Sequence, residues 1–121
     1  MANPSAEGPS GAGTEVLRRY HKKGQDATAT DVITGVANHI YTILSIVAKN
    51  RGTGNQTLHI ILDPNAAGSG SYLFLYSPLV PEGDSFVMND KLVITGTDKL
   101  VLDASADEFD VLVSYIDQTF A

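Results

Sequence analysis

Between residues 31 and 117, short runs of Val, Ile, Leu, Tyr and Phe alternate with clusters of Gly, Pro, Asn, Asp and Ser. A period of two residues belongs to strands packed on a core, and the clusters supply turn chemistry. Ile40 to Ala48 is the strongest run. Plain alternation places Ile40, Leu44, Ile46 and Ala48 on one face with Thr42 among them, and Tyr41, Ile43 and Val47 on the other. Before it, Val32, Ile33 and Val36 lead into a turn at Ala37-Asn38-His39. After it come a loop from Asn50 to Asn55 and a strand from Thr57 to Leu62, with Leu58, Ile60 and Leu62 on one side. Asp63-Pro64-Asn65 and Gly68-Ser69-Gly70 bracket a further loop. The run Tyr72-Leu73-Phe74-Leu75-Tyr76 is aromatic on one face and leucine on the other. Pro78 and Pro81 confine its end to a loop or sheet edge, because proline cannot donate to a ladder.

Ser85–Met88, Lys91–Thr95, Lys99–Asp103 and Phe109–Ile116 complete the set, with turns at Asn89-Asp90 and Gly96-Thr97-Asp98. Asp98 fits a turn position from which its carboxylate accepts from nearby backbone amides. Asp107-Glu108 would also suit a helix start, but Phe109, Val111, Val113, Tyr115 and Ile116 favour a strand. About eight short strands spaced by roughly ten residues predict one all-β, antiparallel sandwich of jelly-roll type. Several strands are apolar on both faces: Tyr41, Ile43 and Val47 oppose Ile40, Leu44 and Ile46, and Leu112 and Ile116 oppose Val111, Val113 and Tyr115. A free sandwich wets its outer faces, so this pattern predicts a covered surface. The cover is an oligomer or partner, or the chain's own leading segment folded back.

That segment differs from the rest. Met1 to Gly13 is rich in Pro, Gly, Ser and Ala and lacks apolar periodicity, which predicts flexibility. Thr14 to Lys23 places Val16, Leu17 and Tyr20 among basic residues, a spacing that suits either one turn of amphipathic helix or a short strand. Gly24 to Thr28 reads as a linker. The predicted organisation is a flexible N-terminal arm over residues 1–28 and a sandwich over 29–121. Charge follows this division: the first 28 residues hold four bases and three acids, the remainder four bases and 11 acids. The acidic body argues against nucleic-acid binding, which needs Lys and Arg to neutralise phosphates. The cluster Arg18, Arg19, Lys22 and Lys23 is suited to an acidic surface on a partner or a sister subunit.

Little in the chain is equipped for catalysis. It has no cysteine, hence no disulfide, thiolate nucleophile or cysteine-built zinc site. The first ten residues show no signal-peptide pattern, and no run approaches the length of a membrane span. His21, His39 and His59 lack metal-ligand spacing and read as surface histidines. Asp103, Asp107, Glu108 and Asp110 lack the ligand spacing of a calcium loop. The serines have no nucleophile-elbow context, and Gly68-Ser69-Gly70 has no following helix or lysine to make a phosphate cradle. Tyr72, Phe74 and Tyr76 could stack on bases or sugars, but core packing is the simpler role. The expectation is a non-enzymatic protein without cofactor or metal.

The stretch from Val32 to Asn50 resembles small tailed-phage virion proteins, in which a short strand, a tight turn and a long strand ending in Asn open a sandwich. Tyr72-Leu73-Phe74, the turn within Leu92-Val93-Ile94-Thr95-Gly96-Thr97-Asp98-Lys99-Leu100 and the final Val111-Leu112-Val113-Ser114-Tyr115 extend that similarity over about three quarters of the chain. Thr97 between Gly96 and Asp98, and Ala37-Asn38-His39 in place of Pro-Ala-Gly, depart from the pattern. The resemblance implies a structural virion component, preferably a capsid decoration (cement) protein made in the host cytoplasm and bound outside the head. Its partners would be the major capsid protein or other virion subunits, and it would form a homo-oligomer without contacting nucleic acid or membrane. Arg18, Arg19, Lys22 and Lys23 would then meet capsid carboxylates, and Val16, Leu17 and Tyr20 would anchor in shallow apolar pockets. The alternatives are a tail, neck or fibre component and a carbohydrate- or receptor-binding sandwich.

Overall fold

The computed structural model describes residues 14–64, 72–105 and 109–120. These residues form β1 (Thr14–Gln25), β2 (Thr30–Thr34), β3 (His39–Asn50), β4 (Gln56–Asp63), β5 (Leu73–Tyr76), β6 (Leu79–Val80), β7 (Ser85–Met88), β8 (Leu92–Thr95), β9 (Lys99–Ala104) and β10 (Phe109–Thr119), with no helix among them. Every pairing is antiparallel. One sheet runs β1-β10-β3, with β7 and β8 end to end along the far edge of β3. The other runs β2-β9-β4, with β5 and β6 sharing the far edge of β4. Two divided edge strands thus turn the eight strands of a jelly roll into ten.

Both divisions have local causes. Pro78 separates β5 from β6, and β6 is two residues long beside Pro81. On the other sheet, β7 pairs with Ile46–Lys49 and β8 with Ile40–Ile43, so Leu44 and Ser45 have no partner on that side. The same place carries a β-bulge: Ser114 of β10 pairs with Ser45, and Tyr115 pairs with Ile43. One extra residue reverses the side-chain phase of a strand. Ile46 and Ala48 therefore share the core with Ile43 and Tyr41, while Ile40, Leu44 and Val47 face outward. Plain alternation through this strand gave the wrong partners.

The core lies between the sheets as one cluster. Ile43, Ile46 and Val113 from one layer meet Leu58, Ile60, Leu100 and Leu102 from the other, and Phe109 closes one end with no exposed surface. The helical alternative for Phe109–Ile116 is excluded, since β10 sits centrally between β1 and β3. Asn50 is fully buried at the end of β3, where its side chain donates to the carbonyls of Gly54 and Val80 and accepts from the amide of Gly52. That fixes the loop after β3. The expected Asp98 turn is also present, with the amide of Thr95 donating to Asp98 Oδ2 at 3.4 Å.

Part of the segment expected to be an arm, residues 1–28, is strand. Thr14 to Gln25 is a twelve-residue strand that pairs with β10 along its length, shifting register only between Lys23 and Gln25. Backbone pairing and the packing of Tyr20 against the core override the polar composition of this segment. Lysines and arginines on an outer strand also discourage unwanted edge pairing. Residues 1–13 of the expected arm lie outside the described residues, as does Gly68-Ser69-Gly70.

Gly35 marks the closest backbone approach. Its amide donates to Asp98 O at 2.7 Å. A Cβ there would overlap the Gly96 carbonyl oxygen and stand 2.6 Å from that of Asp98. At Gly54, by contrast, a Cβ meets nothing within 4 Å, and only its φ of +76° resists a side chain. Gly35→Ala should therefore destabilise the fold by about 3 kcal/mol, and Gly54→Ala by only about 1 kcal/mol. Urea unfolding of both variants checks the order, and equal losses would contradict this packing.

Candidate functional site

Alternation places Leu17, Arg19, His21 and Lys23 of β1 on the outer face of its sheet, opposite the side that carries Tyr20. The pairings continue each position across the sheet. Leu17 leads to Ile116, Thr42 and Val93, and His21 leads to Leu112, Val47 and Val87. Between these rows lie Arg19, Ser114 and the bulge at Leu44. Leu17 is 72% exposed and Val93 60%, with Val87 also more than half exposed. The outer face is thus an apolar band across four strands, interrupted by a shallow depression of about 560 Å³ lined by Leu17, Arg18, Arg19, Leu44 and Ser114. The bulge that sets the core phase also shapes this depression.

The seven residues expected to bind a partner do not share one surface. Leu17, Arg19 and Lys23 point outward and are exposed. Val16, Arg18, Tyr20 and Lys22 lie on the core side of the strand. Tyr20 packs against the core, Lys22 Nζ donates to Thr30 Oγ1 at 3.3 Å, and Arg18 is held by Asp117. A strand divides consecutive residues between two faces, which a composition-based grouping ignores.

Asp117 joins three strands. Arg18 Nε donates to its Oδ2 at 2.9 Å, and His39 Nδ1 donates to its Oδ1 at 2.7 Å. The ring of His39 stacks on Tyr41, which in turn tilts against Tyr115. His39 is therefore tied into the fold and not a free surface histidine. His59 likewise shares a 2.8 Å hydrogen bond with Ser77 Oγ and meets the edge of Phe74. Burial works against ionisation of Asp117, but the hydrogen bonds from His39 and Arg18 outweigh it and hold the carboxyl below its usual range. Among the described residues no cluster of His, Asp and Glu is arranged to hold a metal ion. The surface described above offers a broad area for contact.

No protein-family model and no curated protein sequence matches the chain. Its structural neighbours include a pilus subunit, viral particle proteins, a complement globular domain and a xylanase carrying a carbohydrate-binding module. A subunit of Bacillus endospore appendages, which form disulfide-linked pili, is 20% identical over 92% of this chain and 93% of its own length, with a TM-score of 0.53. A chain of the Gx strain of infectious bursal disease virus is 11% identical with a TM-score of 0.44; the match takes in 91% of this chain and 33% of that one. The virus-like particle of Macrobrachium rosenbergii extra small virus gives 10% identity, 86% and 78% coverage, and a TM-score of 0.41. The appendage subunit shares the fold over 92% of this chain.

A carboxyl held low in the folded state adds stability that is complete above its unfolded value, near pH 4, and is lost as pH falls through the folded value. Asp117→Asn should lower the unfolding free energy at pH 7 by roughly 1–3 kcal/mol and flatten its decline below about pH 4. Urea titrations of both proteins at pH 7 and pH 3 measure this. An undiminished acid slope in the variant would remove Asp117 from the account.

Proposed function

We propose that the protein is a non-enzymatic structural subunit of a virion, of the capsid-decoration type. It would be made in the host cytoplasm and placed in many copies on the outer capsid surface. The apolar outer face of the β1-β10-β3 sheet carries this reading. A surface that leaves Leu17, Val87 and Val93 exposed in the isolated chain is stable in water, yet gains when a neighbouring subunit covers it. Arg19 and Lys23, on the same strand, have no ionic partner among the described residues and suit an acidic neighbour. The residues ahead of Thr14 would extend this contact into grooves between capsomers. Copies on a symmetric shell add avidity, so no single contact has to be strong.

A second reading, a subunit of a tail fibre or pilus-like filament, is supported by the fold shared with the endospore appendage. That relative's pili are disulfide-linked, whereas this chain has no cysteine, so its links would be non-covalent.

Quantitative mass spectrometry of purified particles separates the two readings. Decoration gives hundreds of copies per particle, and a tail or neck part gives about a dozen, as point-group symmetry dictates. Arg19→Glu with Lys23→Glu should weaken binding to empty capsids about tenfold at low salt. Particles without the chain, or binding indifferent to both charges, would overturn the decoration reading.

A further inference from the structure

We infer that neighbouring copies of this chain exchange β1, each laying residues 14–23 along the β10 of the other, with the hinge at Gly24. The inference is independent of what covers the apolar face. Exchange rebuilds that face, with Leu17, Arg19 and Lys23 supplied by the second copy.

β1 is a separable part of its sheet. From Thr14 to Lys23 no residue is buried, whereas Gln25, just beyond, has no exposed surface. Of the ten outer residues, Tyr20 packs against the core cluster. Other ties include backbone pairing to β10, the ion pair from Arg18 to Asp117 and the hydrogen bond from Lys22 to Thr30. Lifting such a strand takes little apolar surface of its own out of the protein. It does leave the border of β10 unpaired, and another strand of the same sequence satisfies that border best.

Hinge and anchor are adjacent. Gly24 is skipped in the register, between Lys23 opposite Asp110 and Gln25 opposite Phe109. Its φ is +76°, and a Cβ there would meet nothing within 4 Å, so no packed atom opposes rotation. Its amide makes only a long bond, 3.3 Å, to Asp110 Oδ1. Beyond it the chain is fixed. Gln25 Nε2 donates to the carbonyls of Asp26 and Thr28 at 3.1 and 3.0 Å, and the Asp26 carbonyl accepts from the Ala104 amide at 2.9 Å. A departing strand therefore pivots at Gly24 without loosening the two sheets behind it.

A second copy offers the strand every contact it leaves: Asp117 for Arg18, Thr30 for Lys22 and the same seat for Tyr20. Exchange thus conserves contacts, and the balance between closed and exchanged forms is set by the hinge and by the local concentration of copies. Ten residues of strand span about 33 Å, enough to run along the neighbour's β10 from its Phe109 end. Dilute chains stay closed, and crowding in an assembly favours exchange.

The absence of cysteine makes a disulfide trap specific. Arg19 and Ser114 are partners in register. Arg19→Cys chains mixed with Ser114→Cys chains, differently tagged and each folded by circular dichroism, should give mixed disulfide dimers on oxidation, since neither chain can close the link alone. Arg19→Cys mixed with Gln118→Cys, which lies four residues out of register, should link at least tenfold less, because a disulfide cannot bridge that separation. Gly24→Ala should raise the linked fraction about tenfold, because the left-handed conformation of the closed form resists a side chain and an extended hinge does not. The inference is overturned if the in-register mixture links no more than the mismatched one up to near-millimolar concentration, or if Gly24→Ala leaves the linked fraction unchanged.

Discussion

The single extra residue at Leu44 is the constraint on which the architecture depends. Hydrophobic burial requires each strand to present one apolar set to the core, yet Ile40–Ala48 is apolar at nearly every position. The bulge resolves this by joining two half-strands of opposite phase, Tyr41 and Ile43 in one and Ile46 and Ala48 in the other. It also divides the neighbouring edge, because no straight strand can pair across it, and so sets where β7 ends and β8 begins. Residues expelled from the core by this arrangement, Leu44 and Val47, become part of the outer apolar band. Core phase and interaction surface are two results of one insertion.

Electrostatics then divides β1 by function. Its core-side residues bind the strand to its own domain through Tyr20 in the core and Arg18 on Asp117. Its outward residues face solvent as Leu17, Arg19 and Lys23. The acidic body thereby presents one basic, apolar face, and the sandwich acquires polarity from its own strands.

The sequence made most strands legible, because β2, β3, β4, β7, β8, β9 and β10 combine β-branched runs with turn residues at their ends. β1 stayed open between a helical turn and a short strand because its core-side positions are Val16, Arg18, Tyr20 and Lys22. An ion pair to a residue 99 positions away does the anchoring that apolar side chains do elsewhere. The face assignment in β3 failed at the bulge, which leaves no turn residue as a local signal. The apolar outer surface was legible in outline from strands hydrophobic on both faces. The membership of its β1 edge was not, since adjacent basic residues in the chain point to opposite sides. Nor could spacing show that His39 and Asp117, 78 residues apart, belong together.

The position of β10 has a consequence for how the chain is made. β1 and β3 are separated by one strand width in the finished sheet, and the strand that fills the gap is synthesised after the other nine described strands. Until β10 leaves the ribosome, the nascent chain holds two open borders and a half-built interior without Phe109. Cooperative folding therefore waits for the last strand, and because nearly all sheet contacts link distant segments, the search is slow by the standards of small domains. A polypeptide that must remain unpaired for so long benefits from cationic side chains along its earliest strand.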